Sequence, residues 1–316
     1  MTWYAQNPNI LILMKNSLLS ISEIMNSAWQ KGIVIPGFNI PYLPMMEPVV
    51  RALADTGTFG LIMVARLEWI KFRSGSIKAI RDEYEKTKDI RFTRLHLDHV
   101  PVIDEDRKLV DFEKDISHAI ELGYDSVMID GSRLSLADNI KCTKKITAIA
   151  HASGIPVEAE LGAVMGHEAG PLPPYEELFS TGKGFTSPSE ARQFVDETGA
   201  DWLSVAIGNV HGAISDSTRT EKKIEARLAI PHLEKISKSV HIPLVLHGGT
   251  GIGKEYLLQS FRNGIAKINI ATAIRQPYEK LMNGSVKTAQ EAVYREMLEI
   301  ITNQLEIAGS ASIINI

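Results

Sequence analysis

Short apolar runs, each bounded by glycine, proline or polar residues, alternate along the chain with stretches whose apolar residues return every three or four positions. Runs of the first kind are expected to form strands buried on both faces, and stretches of the second kind amphipathic helices. The pattern predicts strands at 33–38, 59–65, 92–97, 126–129, 156–160, 202–207, 243–246 and 266–269. Helices are expected between them, for example at 112–122, 136–153, 189–198, 224–237 and 254–262. Ser20 and Glu23 have the spacing of a capping box, opening a helix that runs through Trp29 and stops at Gly32. Eight strand–helix units with no internal repeat and no low-complexity linker match the count of a (β/α)8 TIM barrel in the α/β class. An open doubly wound sheet is the alternative. The expected organisation is one barrel domain over 1–316, with an irregular leader over 1–16 and a helical extension over 286–316. In that extension Val293, Met297, Ile301 and Leu305 form a stripe, expected to dock on the barrel or on a second subunit.

Composition narrows the class. The chain has 316 residues, 44% hydrophobic and 23% charged, which suits a globular protein with a large core. A net charge of −4 with no basic block argues against a nucleic-acid partner. No apolar run approaches the ~18 residues of a membrane span. The apolar run at 10–14 lacks a basic segment before it and is not read as a secretory signal. The single cysteine, Cys142, excludes an internal disulfide and a cysteine-rich zinc site, and a reducing cytoplasm is the expected location.

One stretch, VHIPLVLHGGTGIGK at 240–254, joins a strand to a helix through glycines. Such a turn offers backbone N–H groups and a positive helix end to an anion, here with His247 beside it as a possible metal ligand. The stretch is not a P-loop, because Glu255 stands where Ser or Thr should follow Gly253-Lys254. It also lacks the G-x-G-x-x-G spacing of a dinucleotide site.

Other polar residues gather at expected strand ends: His96-Leu97-Asp98-His99, Asp130-Gly131-Ser132, Glu158-Ala159-Glu160, Asn209-Val210-His211-Gly212 and Asn269-Ile270-Ala271-Thr272. In a closed barrel these would converge on the C-terminal mouth, where barrel active sites lie. Three imidazoles there, His99, His211 and His247, suit a zinc site with an open position. Such an ion stabilises the oxyanion formed as a bond to carbon breaks. Asp98 adjoins a ligand and could move a proton on a reacting hydroxyl. Glu168, in the glycine-rich loop 162–170, could exchange a proton at carbon as the loop closes. His96 is read as a hydrogen-bonded barrel residue, and His118, His151, His232 and His241 as solvated or capping residues.

These residues resemble the class II (zinc-dependent) fructose/tagatose-bisphosphate aldolases. The resemblance runs from about Ser17 to Lys280 through PGFNI at 36–40, HLDH at 96–99, SVMIDGS at 126–132, VEAELG at 157–162, VAIGNVHG at 205–212, LHGGTG at 246–251 and KINIAT at 267–272. It implies zinc on His99, His211 and His247, with Glu160 near an alternative metal position. It implies Asp98 as the proton donor or acceptor on the C4 hydroxyl and Glu168 as the group that exchanges the donor's C3 proton. Dihydroxyacetone phosphate would be held by Gly212, by Gly248, Gly249 and Thr250, and by Asn269, Ile270, Ala271 and Thr272, with Asn39 of PGFNI also in the substrate site. A monovalent cation, Na+ or K+, is a further candidate, on backbone around Val210, Gly212 and Gly248. A small-molecule sugar phosphate is the expected partner, with no membrane, and a homodimer or homotetramer is usual in such families.

Two positions depart from that pattern. Ala169 follows Glu168 where a second acid is usual, and Ala65-Arg66-Leu67-Glu68-Trp69 follows strand two where small residues are usual. Arg66 is read either as a contact for an anionic acceptor or as a rim charge paired with Glu68 or Lys71. The expected reaction is reversible cleavage of a ketose (bis)phosphate to dihydroxyacetone phosphate and an aldehyde. An aldolase for an unusual ketose phosphate with a non-standard acceptor, or a non-catalytic barrel supporting a partner aldolase, is the alternative.

Overall fold

A computed structural model describes residues 19–162, 175–209 and 226–316. Eight parallel strands close in sequence order, each hydrogen-bonded to the next and the last to the first. They are β1 Ile35–Asn39, β2 Gly60–Ala65, β3 Thr93–Pro101, β4 Ser126–Asp130, β5 Val157–Leu161, β6 Trp202–Val205, β7 Leu244–Leu246 and β8 Ile265–Ile270. Almost every strand residue is buried, as expected of a sheet covered on one side by helices and filled on the other by its own side chains. The fold is therefore a (β/α)8 TIM barrel, and the open sheet is excluded. Among the described residues, no helix is long and apolar enough to cross a membrane.

The expected elements recur with shifted ends. The first helix, α1 (Ile21–Gln30), starts at a capping box in which Ser20 and Glu23 satisfy each other's backbone N–H groups. Gly32 follows it at φ 65. The helix expected at 224–237 begins later, at Ile230–Val240. Pro231 sits in its first turn, where a missing N–H costs nothing. Ahead of it, Ala226 N–H donates to Gly251 O and Ala229 N–H to Ile207 O, which keeps that stretch on the barrel wall.

Two apolar clusters divide the core. The larger lies mainly between the strands and the outer helices. The smaller joins Ile35, Phe59, Leu61, Met63, Trp202, Val245 and Ala266 to Ile24, Met25 and Ala28 of α1 and to Ala311 and Ile314. Helix α1 thus plugs the barrel's N-terminal end, opposite the mouth. The C-terminal stripe docks on the barrel: Val293, Met297, Ile301 and Leu305 are buried in the larger cluster. The chain beyond them is tied down by Gly309 N–H to Thr56 O and by Ser27 Oγ to Ile314 O. The leader at 1–16 lies outside the described residues.

The plug gives a stability test. Met25 has no exposed surface, so Met25→Ala is expected to cost about 2–5 kcal/mol through lost burial and a residual cavity. A lower denaturant midpoint with an unchanged slope checks this; an unchanged midpoint would show that α1 is not seated in the barrel.

Candidate active site

The site begins with a fault in β3. Its register against β4 shifts between Leu97 and Val100: Leu97 pairs with Val127, and Val100 with Ile129. Asp98 and His99 therefore stand opposite a single β4 residue, Met128, and His99 takes φ 33. In a regular strand these two neighbours would face opposite sides; a bulge re-aims them. Ligand atoms of Asp98, His99 and His247 consequently lie within 4.8 Å of one another.

Elsewhere the ordinary period of two brings polar residues inward in pairs. His96 and Asp98 on β3, Glu158 and Glu160 on β5, and Lys267 and Asn269 on β8 are all buried. They make one connected network. Asn39 Nδ2 donates to Asp98 Oδ2 at 2.9 Å, and Asn269 Nδ2 to Asp98 Oδ1 at 2.9 Å. Lys267 Nζ lies 2.7 Å from both Asn269 Oδ1 and Glu158 Oε2. Glu158 Oε1 meets His247 Nε2 at 2.9 Å, and Glu160 Oε2 lies 2.9 Å from His247 Nδ1. The His99 and His247 rings stand edge to face with centroids 4.4 Å apart, and His99 Nδ1 lies 3.2 Å from Asp130 Oδ2. Ser132 holds the other Asp130 oxygen through its N–H and hydroxyl.

The ionisation of the site follows from this crowding. Burial works against a charged His99, but Asp98, the hydrogen bond to Asp130 and the charge of Glu160 outweigh it and raise the imidazole to about 10. Burial and His99 oppose protonation of His247, yet Glu158 and Glu160 hold it above the ordinary imidazole value. Burial and the Lys267 charge push His96 down to about 3, so it is a neutral ring; its Nδ1 lies 2.8 Å from Ser126 Oγ. Burial alone would raise Asp98, but His99, Lys267 and His247 hold its carboxyl well below the usual range. Glu160 is instead raised, by burial and by Asp130.

Among the described residues, three groups of side chains could hold an ion: Asp98/His99/His247, His96/Asp98/Glu158 and His99/Asp130/Glu160. The second already has the Lys267 ammonium on Glu158, so its demand for a cation is met from within. The other two are different. Glu160 Oε2 is buried and, although near His247 Nδ1, makes no hydrogen bond of acceptable direction. A carboxylate oxygen so placed, between two imidazoles, suits a metal better than a proton. The donor sets that fit a metal are therefore Asp98/His99/His247 and His99/Asp130/Glu160, which share His99.

On the other side of the mouth, Gly249 N–H donates to Asn269 O, which sets the glycine turn of 248–251 beside the end of β8. A Cβ on Gly249 would lie 2.7 Å from the Ile268 side chain, so any larger residue there requires that side chain to move. Two helices start here, Lys254–Arg262 and Thr272–Leu281, both after the last two strands of the barrel. Gly248, Gly249, Thr250, Ile270, Ala271 and Thr272 thus adjoin one another where barrels place phosphate sites. His211, Gly212 and Glu168 lie outside the described residues.

Strand two differs from expectation. Helix α2 (Arg66–Lys71) follows β2 at once. Arg66 pairs with neither Glu68 nor Lys71: its Nε lies 3.3 Å from Asp115 and its Nη1 3.8 Å from Asp104. Lys71 meets Glu105 and Asp106. Glu68 is buried rather than on the rim, because in the helix's first turn it reaches back to the Ala65 N–H at 2.8 Å. Sequence reasoning gave no role to Glu158, Lys267 or Glu68. The i, i+2 spacing of Glu158 with Glu160 and of Lys267 with Asn269 was the available signal for the first two.

The sequence profile of the family described as fructose-bisphosphate aldolase class-II matches residues 19–312. The chain belongs to that family. A Bacillus subtilis (strain 168) protein named probable fructose-bisphosphate aldolase is 32% identical over 260 residues, 81% of each chain. The fructose-bisphosphate aldolase of Streptococcus pyogenes serotype M1 is 31% identical over 260 residues, 81% of this chain and 79% of that one. Among solved structures, the YdjI aldolase of Escherichia coli K12 superposes with a TM-score of 0.70 at 26% identity, covering 92% of this chain and 99% of that one. This class II aldolase carries the mouth network on the strands that the match spans.

Because His99 is protonated up to about pH 10, a metal must displace a proton to bind it. Zinc added to metal-free protein is expected to bind more tightly as pH rises from 6 to 8, by about tenfold per unit for each proton displaced. Competition against a chromophoric chelator measures this, and a flat profile would remove His99 from the metal site.

Proposed function

We propose that the protein is a zinc-dependent aldolase that reversibly cleaves a ketose phosphate into dihydroxyacetone phosphate and an aldehyde. The observation that carries the reading is the cluster of Asp98, His99 and His247, whose ligand atoms lie within 4.8 Å of one another, with buried Glu160 Oε2 2.9 Å from His247 Nδ1 and 3.9 Å from His99 Nδ1. His99 and His247, with His211 from the family motif, would hold the ion, and Glu160 would offer an alternative position. Bound there, zinc would polarise the ketone carbonyl and stabilise negative charge on its oxygen.

The chain's own residues supply the rest. Asp98 is ionised and held at both oxygens by Asn39 and Asn269, which fixes its direction. It accepts the C4 hydroxyl proton as the C3–C4 bond breaks and the aldehyde forms. Glu168 then returns a proton to C3 of the donor, and the reverse path exchanges that proton with solvent. The turn at Gly248–Thr250 and the start of the helix at Thr272 would take the donor's phosphate through backbone N–H groups.

The test is a screen of ketose phosphates for release of dihydroxyacetone phosphate, with metal content measured on the same protein. About one zinc per chain, and activity lost on chelation and restored by zinc, is expected. Asp98→Asn should lose cleavage while keeping exchange of the donor's C3 proton, and Glu168→Gln should lose the exchange. Protein without divalent metal, whose activity ignores a chelator, would overturn the zinc reading. Absence of both cleavage and exchange would leave a non-catalytic barrel.

A second reading concerns the acceptor. Arg66 opens the helix that follows β2 and is part-buried, and its Nε and Nη1 contacts with Asp115 and Asp104 leave the Nη2 hydrogens of its fork for an anionic acceptor. Arg66→Ala is expected to raise the acceptor's KM about tenfold, or about 1.4 kcal/mol, with donor exchange unchanged. Unaltered acceptor kinetics would assign Arg66 to the rim alone.

A further inference from the structure

Glu68 belongs to the chain's departure after strand two and is used by no step above. Its carboxyl enters the mouth from the first turn of α2 and is buried. Oε2 accepts the Ala65 N–H at 2.8 Å and lies 3.3 Å from Asn39 Nδ2. The same Asn39 nitrogen donates to Asp98 Oδ2 at 2.9 Å. An amide nitrogen has two hydrogens, so one can serve each carboxyl group, and Asn39 bridges Glu68 to Asp98.

Two buried carboxyl groups on one amide cannot both stay ionised cheaply. Asp98 has His99, Lys267 and His247 around it and keeps its charge. Burial, and then the Asp98 charge, push Glu68 up to about 8. Glu68 therefore serves near neutral pH as a neutral acceptor that fixes the Asn39 amide without competing for the cations of the site. If Asn39 lost that anchor, its side chain could turn about its own bonds, and one of the two supports of Asp98 would move with it.

We infer that Glu68 is a positioning residue, acting through Asn39 to aim the Asp98 carboxylate at the hydroxyl whose proton moves during carbon–carbon cleavage. The inference rests on the proposed aldolase reaction, in which Asp98 handles that proton.

Glu68→Ala and Glu68→Gln test it, on the zinc-loaded full chain with the ketose phosphate that the unaltered protein cleaves fastest. Glu68→Ala is expected to lower kcat for cleavage by about 10- to 100-fold, the range for losing a group that orients a functional side chain. KM and C3-proton exchange on dihydroxyacetone phosphate should change far less. Glu68→Gln presents the same acceptor oxygen to Ala65 and Asn39 and should recover most of the loss. Melting curves and zinc content of both variants separate this from unfolding. Equal loss of cleavage and exchange, no loss at all, or no recovery in Glu68→Gln while it stays folded would overturn the inference. If Glu68→Ala does not fold, Glu68→Met, which fills the same space without an acceptor, takes its place, and an unaltered kcat in that variant would overturn the inference. An unaltered protein showing neither cleavage nor exchange would instead remove the aldolase reading, and this inference with it.

Discussion

The mouth of this barrel is governed by a charge balance that water cannot settle. Asp98, Glu158 and Glu160 are all but sealed, and Asp130 stands beside them. Each ionised carboxylate taken from water costs several kcal/mol unless a cation or several donors meet it. Lys267 answers for Glu158 from inside the network. Asn39 and Asn269 answer for Asp98 with neutral donors. What remains, Asp130 and Glu160 around His99 and His247, is answered by protons on the imidazoles, at the place where we propose a metal. The protein thus meets part of its cation demand with a fixed ammonium and the rest with titratable imidazoles.

The scaffold makes that balance affordable by dividing labour between its two ends. Apolar side chains of α1 and the C-terminal segment close one end, with Trp202 and the small cluster around it as the floor. His96 rests near that floor, its ring centroid 6.0 Å from Trp202, hydrogen-bonded to Ser126 and neutral. Above it the interior turns polar strand by strand. On β3, β5 and β8 the buried pairs His96/Asp98, Glu158/Glu160 and Lys267/Asn269 form that polar layer, set on the packed base. Precise placement of charge needs such a base, because a side chain free to relax would spend the electrostatic energy in moving.

Much of this was legible in the sequence. Short buried runs separated by helical patterns gave the barrel, and polar residues at strand ends gave His99, His247, Glu160, Asp98 and Asn269 as neighbours. The exceptions have physical causes. Lys267 and Glu158 look like any charged residue in a strand until the rest of the mouth network is known, since their pairing joins positions far apart in sequence. Glu68 entered only as one alternative rim partner of Arg66, because nothing in Ala65-Arg66-Leu67-Glu68 announces that a helix starts immediately, which turns its side chain back into the mouth. The start of the helix at Ile230 moved because backbone bonds to Ile207 and Gly251 hold the preceding residues extended, and those bonds are tertiary.

The bulge in β3 bears on how such a strand can change. A strand of uniform alternation offers every second residue to its interior, so inserting or deleting a residue exchanges one face for the other. Here the irregularity between Leu97 and Val100 absorbs a residue, and the two sides of it obey separate phases. His96 and Asp98 belong to one phase, and Val100 onward to the next. The tetrad at 96–99 is therefore a written-out dislocation, and removing any one of its residues would not merely shorten the strand. It would heal the dislocation, restore a single phase and leave only one residue of the Asp98–His99 pair facing the interior.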